Sequence, residues 1–149
     1  MDAPDSITMD DEERDEFLGT GGTGVISFAS DPDESPHSVP VSYGYDPAES
    51  AFYFRLATDG DSDKGELTDR PVTFVTYREV EGAWRSVVAS GRLERTTDPD
   101  VATEALEGLG RVDLPLADMF GRPVAEVQFE FYRLVPDSLT GRKESSPAP

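Results

Sequence analysis

The sequence predicts a mainly β domain, a six-stranded barrel with short flanking helices. Six runs rich in β-branched and aromatic residues, most of them with apolar side chains at alternate positions, point there. The links between most of them are short and carry Gly, Pro, Asp or Ser, which favours antiparallel neighbours. Clear helical periodicity appears once, over Asp98–Gly110. At 149 residues the chain holds enough for one core. We read residues 1–143 as one domain and residues 144–149 as a disordered tail.

The first element is a short helix over Thr8–Leu18. Thr8 is its expected cap, with Asp11 three residues on, and acidic residues crowd the first turn, where the helix dipole favours them. Gly19–Gly24 spells GxGxxG. That pattern binds a dinucleotide only between a preceding strand and a following helix. Here the order is reversed, so the glycines are expected to end the helix and turn the chain. The first strand follows at Gly24–Ala29.

Ser38–Tyr45 is the next strand. Val39, Val41, Tyr43 and Tyr45 form a bulky face. Ser38, Pro40, Ser42 and Gly44 form a small one. Such a face either meets solvent or lets a flat group approach the backbone. Pro40 cannot donate to a ladder and belongs at an edge or with its nitrogen side unpaired. After a turn at Asp46–Ser50, the strand Ala51–Leu56 points Phe52, Phe54 and Leu56 one way and Tyr53 and Arg55 the other. The loop ATDGDSD fails as a calcium site, having Lys64 and Arg70 where the motif needs Gly and Glu. It reads instead as the entry to a short helix, Lys64–Asp69. There Ser62 and Lys64 make either an anion site or an ordinary cap with a solvated lysine.

Pro71–Glu79 and Ala83–Glu94 are strands joined at Gly82, with a bulge or bend expected at Gly91. Val124–Val135 closes the set, with Val127, Phe129 and Phe131 expected inward and a slip in alternation at Tyr132–Leu134. Pro136–Pro149 reads as a polar tail.

Composition narrows the chemistry. The net charge of −18 repels nucleic acid and anionic membranes. No apolar run approaches a membrane span, and the acidic N-terminus is unlike a signal peptide, so a soluble cytoplasmic protein is expected. Abundant acid with two lysines suits a salt-adapted, halophilic cell, although an acidic mesophile protein would look similar. The absence of Cys excludes disulfides and thiolate chemistry. One histidine, His37, cannot make a histidine zinc motif, and no GxSxG elbow is present. Any activity is therefore expected to rest on a bound cofactor. The isolated Arg55 and Arg85 join Ser62 and Lys64 as candidate anion contacts.

In order, the segments FLGTGGTGVISFA, SVPVSYGYD, FYFR, GDSDKGEL, PVTFVTY, WRSVVASGRLE and LTGRK resemble the pyridoxamine 5′-phosphate oxidase-like flavin-binding family, in its nitroimidazole-resistance-like branch. The resemblance implies a split β-barrel and a homodimer with flavin mononucleotide (FMN) at the subunit interface. It implies that Ser38, Val39, Pro40, Val41 and Ser42 lie along the flavin ring. Ser62 and Lys64 would clamp the phosphate, with Arg55 and the adjoining Leu56 beside them. Trp84, Arg85 and Ser86 would reach the flavin from the second subunit. Asp63 departs from the arginine common in the oxidases, which weakens the clamp. The chain also lacks the C-terminal segment that completes a pyridoxal phosphate site, which argues against vitamin B6 oxidation. The expected function is that of an FMN-dependent oxidoreductase, with NAD(P)H or a small-molecule electron acceptor as a further partner. The alternatives are a non-catalytic flavin carrier, a haem- or deazaflavin-binding relative, and a barrel without ligand.

Overall fold

A computed structural model describes residues 6–58, 70–96 and 128–144. The predicted helices at Lys64–Asp69 and Asp98–Gly110 lie outside the described residues, as do Ser62 and Lys64. The elements are β1 (Ser6–Thr8), α1 (Asp11–Leu18), β2 (Gly21–Phe28), β3 (His37–Asp46), β4 (Ala51–Thr58), β5 (Pro71–Val80), β6 (Ala83–Arg95), β7 (Gln128–Leu134) and β8 (Ser138–Glu144). All recorded strand pairs are antiparallel. The order is β1-β8-β6-β5-β2-β3-β4-β7, and a further β6–β7 pairing closes six strands into a barrel. β8 and β1 extend the sheet beyond that closure.

The core is aromatic. Phe52 lies 5.9 Å from Tyr43, 4.9 Å from Tyr45 and 5.5 Å from Phe74 between ring centroids, and Phe54 lies 5.0 Å from Phe74. All five rings are buried. Burying each is worth roughly 2–3 kcal/mol. Phe17 and Leu18 bring α1 into the same core.

α1 starts at Asp10 rather than Thr8. Thr8 is held in β1 opposite Arg142, whereas the Asp10 carboxylate accepts the Glu13 N–H at 2.8 Å and Glu13 returns the bond to Asp10 N–H. The barrel satisfies the other end. Arg78 donates to the Phe17 carbonyl at 2.8 Å, and the Tyr43 hydroxyl donates to the Leu18 carbonyl at 3.1 Å.

Gly19 does end the helix, at φ 61°. Gly21–Gly24, however, belong to β2. A Cβ on Gly22 would come within 3.1 Å of the Tyr43 ring, and one on Gly24 within 2.6 Å of the Phe74 ring. These glycines therefore make room for core aromatics. The GxGxxG pattern sits after a helix and runs into a strand, the reverse of a dinucleotide site.

Three expectations need correction at the closing strands. First, Tyr132 and Leu134 face the core, opposite Phe54 and Phe52, whereas Phe131, expected inward, is opposite Arg55; Val127 lies outside the described residues. The run FEFYRL is apolar on both phases, and only pairing with β4 selects one. Second, Ser138–Glu144 is a strand rather than the start of a tail: Arg85–Ser90 pair with Lys143–Ser138. Third, β6 keeps regular register with β5 through Gly91. The bulge is on the other side. Between the pairs Leu93–Leu134 and Ser90–Ser138, β6 has two residues and its partner has three. Gly91 lies where a Cβ would stand 3.0 Å from Leu134 and 3.2 Å from the Val135 carbonyl, opposite that extra residue.

Candidate functional site

The barrel has a split. β3 and β4 pair only from Tyr43–Phe54 to Asp46–Ala51. Beyond Tyr43, β3 runs on to His37, paired among the described strands only with β2, while β4 runs from Arg55 to Thr58, paired among them only with β7. The hairpin turn holds one end together, with the Asp46 carboxylate accepting the Ala48 N–H at 3.1 Å. At the other end the two strands do not pair with each other.

The alternation within β3 decides what the split presents. The Tyr45 N–H donates to the Thr20 carbonyl at 3.2 Å, continuing the β2 ladder. Hence Val39, Val41 and Tyr43 bond to β2, and Ser38 and Pro40 turn their backbone groups away from it. Pro40 loses nothing there, because its missing N–H would have pointed to the open side. This is the half-edge position expected for it.

Side chains alternate on the other axis. Val41 is buried and Val39 is packed against the core, whereas Ser38 and Pro40 are exposed and Ser42 is half-buried. The outer side chains continue across the sheet in three rows. One holds Ser38, Ser27, Thr73, Ser90 and Ser138; the next holds Pro40, Val25, Val75, Val88 and Thr140. The third holds Ser42 beside Thr23, then Tyr77, Ser86 and Arg142. Hydroxyls pair within the first row, Ser27 with Ser38 at 2.8 Å and Thr73 with Ser90 at 3.3 Å. A groove of about 410 Å³ opens at the end of that row, between Phe28, Pro36 and Pro71 and under Arg92 and Asp137. Tyr77 and Trp84, 62% and 47% exposed, border the third row with centroids 5.8 Å apart.

The predicted site residues therefore fall into separate places. Ser38, Pro40 and Ser42 share one outer face with Trp84 and Ser86. Val39, Val41 and the buried Leu56 belong to the interior side. Arg55, half-buried, lies on the β4 lip of the split, on the outer side with Tyr53. Arg85 points to the opposite side of β6 from Trp84 and Ser86, in a row with Arg78 and Lys143. Lys143 is ion-paired to Glu13, and this bond holds the Glu13 carboxyl below its ordinary range. Within one chain, Ser42 and Ser86 are separated by three strand spacings, about 14 Å. The face also includes residues not anticipated from the sequence, Thr23, Val25, Ser27 and Tyr77. Their signal was present: Val25 and Ser27 alternate with the core residues Ile26 and Phe28.

Behind the split lie two paired polar groups. Arg133 on β7 donates to Glu94 at 2.9 Å; burial opposes its charge most strongly, but the bond to Glu94, the charge of Glu94 and the contribution of Tyr53 together outweigh it and raise the guanidinium pKa. Tyr45 donates to Asp15 at 2.7 Å, and burial together with that bond pushes its hydroxyl up to about 12. No group of metal-binding side chains occurs among the described residues.

Known structures share this architecture. The FAD-binding protein of Mycobacterium smegmatis superposes with a TM-score of 0.68 at 18% identity, covering 95% of this chain and 100% of that one. A protein of the same organism described as FAD- and haem-binding gives 0.62 at 15%, covering 97% and 75%. A candidate 5-nitroimidazole antibiotic resistance protein of Bacteroides thetaiotaomicron gives 0.55 at 18%, covering 93% and 87%. At these identities the likeness establishes the split-barrel fold. No curated protein matches the chain. Residues 10–143, nearly the whole sequence, match the family model described as pyridoxamine 5′-phosphate oxidase, and the chain belongs to that family.

Proposed function

We propose that this protein is a homodimeric FMN-binding flavoprotein acting as an oxidoreductase, with the flavin lodged at the β3 side of the split. The observation that carries this reading is the open half of β3. It combines small outward side chains at Ser38, Pro40 and Ser42 with backbone groups of Ser38 and Pro40 turned to a side where no strand pairs among the described residues. A flat heteroaromatic ring needs such a wall: close approach, and backbone groups for its polar edge. The residues present fit a flavin.

In this reading Ser38–Ser42 orient the ring and Arg55 supplies positive charge from the opposite lip. Ser62 and Lys64, which follow β4 in the sequence, hold the phosphate. Trp84 and Ser86 lie about 14 Å from the β3 wall in their own chain, so they serve the site of the partner subunit, shielding the ring from water. Arg85 points away from that face and is not assigned to the flavin. The bound flavin supplies hydride or electron transfer; the protein binds, orients and encloses it. The descriptions of the M. smegmatis neighbours support a flavin and make FAD the alternative to FMN. The second of them also supports a haem reading, for which exposed His37, stacked on Phe28 at 6.2 Å, is the available ligand.

Purified protein should be yellow, with FMN as the flavin released on denaturation. Lys64→Ala should weaken FMN binding by about 1–3 kcal/mol, the scale of a charge-assisted hydrogen bond. Unchanged affinity would remove Lys64 from the site, and a Soret band instead of flavin bands would replace the flavin reading with haem. Bleaching of the bound flavin by NADH or NADPH separates a reductase from a carrier.

A further inference from the structure

We propose that the groove at the end of the first outer row binds a small organic carboxylate, a monoanion with a flat apolar body. The proposal deepens the flavoprotein reading, on which it rests for its use. Ser27, on the groove floor, is bonded at 2.8 Å to Ser38, the first residue of the proposed ring wall. A ligand held there lies beside the flavin. The chemistry of the groove itself comes from other residues.

Its volume of about 410 Å³ is that of a small-molecule site. The floor is rich in donors. Ser27 and Ser38 share one hydrogen bond, and Thr73 and Ser90, 3.3 Å apart, share another. Each pair holds two O–H groups and uses one, which leaves one proton per pair for a ligand. Next along β6 on the outer side is Arg92, opposite Pro71. Arg92 has an engagement of its own, but a guanidinium carries five N–H donors and one engagement does not exhaust them. Arg70 brings a second guanidinium to the rim, 3.5 Å from the Ala29 carbonyl and 6.0 Å from the centre of the Phe28 ring, and exposed His37 stacks on that ring. In a chain with 13 Lys and Arg against 31 Asp and Glu, such a gathering of donors selects an anion.

Asp137 limits the charge of that anion. The bulge after Leu134 brings it onto the groove, where its N–H donates to the Ser90 carbonyl at 2.8 Å. Its carboxylate repels a dianion such as phosphate more than a monoanion. Exposed Asp31, Asp33 and Glu34, on the approach to Pro36, add to that repulsion at low salt. Ala29, Pro36 and Pro71 supply apolar walls, which favour a ring-bearing body over a bare ion.

The test is calorimetric titration of the protein as purified, in 1 M KCl, where the Debye length is about 3 Å. The probes are benzoate, its neutral counterpart benzamide, and inorganic phosphate. Benzoate should bind best. Arg92→Gln should weaken it about tenfold, the scale of one charge-assisted hydrogen bond. Asp137→Asn, which keeps the backbone bond to Ser90, should tighten it about two- to threefold, the scale of one screened charge. Benzamide bound as tightly as benzoate, phosphate bound more tightly, no benzoate bound at about 10 mM, or unchanged affinity in Asp137→Asn overturns the site. Benzoate that shifts the absorption bands of bound FMN upholds the place beside the ring, and bands left unchanged by bound benzoate refute it. Benzoate binding in a protein without affinity for FMN upholds the groove and refutes the flavin reading instead.

Discussion

Alanine in place of Gly24 puts a methyl group where β2 has no room. Its Cβ would stand 2.5 Å from the Val75 carbonyl oxygen and 2.6 and 2.7 Å from two carbons of the Phe74 ring. Comfortable contacts are roughly 3.5 Å or more, so about 1 Å must be found. The ring is packed among Tyr43, Phe52 and Phe54. The carbonyl belongs to a β5 residue paired with Val25 on one side and Val88 on the other. Neither obstacle is the flexible end of a side chain. Overpacking of this kind costs about 1–3 kcal/mol. The loss of glycine's freedom in the unfolded chain returns roughly 0.4–1 kcal/mol. The net destabilisation is about 1–2 kcal/mol, or a fall in melting temperature of roughly 2–8 °C for a chain of this size. Urea unfolding at fixed salt, with calorimetry, measures it. Adding Phe74→Leu should recover only part of the loss, because the Val75 carbonyl remains. A Gly24→Ala protein as stable as the wild type would refute the packing account. Gly24 is also the last glycine of the GxGxxG pattern, and the same variant should leave flavin affinity unchanged per folded molecule.

Two further predictions concern the seat of α1. The Tyr45 hydroxyl, raised from 10 to about 12, favours its neutral form in the folded state. Its contribution is complete below pH 10 and is lost as the pH rises through 10 to 12, on the order of 2–3 kcal/mol. Urea midpoints should therefore fall across that window, and less steeply in Tyr45→Phe; identical slopes in the two proteins would contradict the burial argument. Arg78→Leu keeps an apolar stem near the Phe17 ring but loses the bond to the Phe17 carbonyl and the guanidinium 4.1 Å above that ring. It should cost about 1–2 kcal/mol in urea unfolding, and a cost near zero would show that the helix end finds water equally good.

Much of the fold is legible in the chain. Alternation located β3, β4, β5 and β6 to within a residue or two at each end, because each buries one side and the core takes only bulky apolar groups. The C-terminal strands were harder. β7 is apolar on both phases. β8, with the sequence SLTGRKE, owes its existence to two neighbours: Gly141 lies under Met9, where a Cβ would stand 2.8 Å from the Met9 Cε, and Lys143 is tied to Glu13. A polar strand has no hydrophobic period to announce it.

The candidate site divides in the same way. The small face of Ser38, Pro40 and Ser42 and the half-edge position of Pro40 could be derived from residue type, because proline lacks a donor and small side chains permit close approach. The arrest of β3–β4 pairing at Tyr43–Phe54 could not. Nor could the side of β6 that Arg85 takes, or the alignment of Val25 and Tyr77 with the β3 face. Side chains carry information about burial, and burial is what the sequence by itself determined. Strand partnership is made by backbone groups that every residue but proline shares, so the split and the outer face were decided only when the barrel closed.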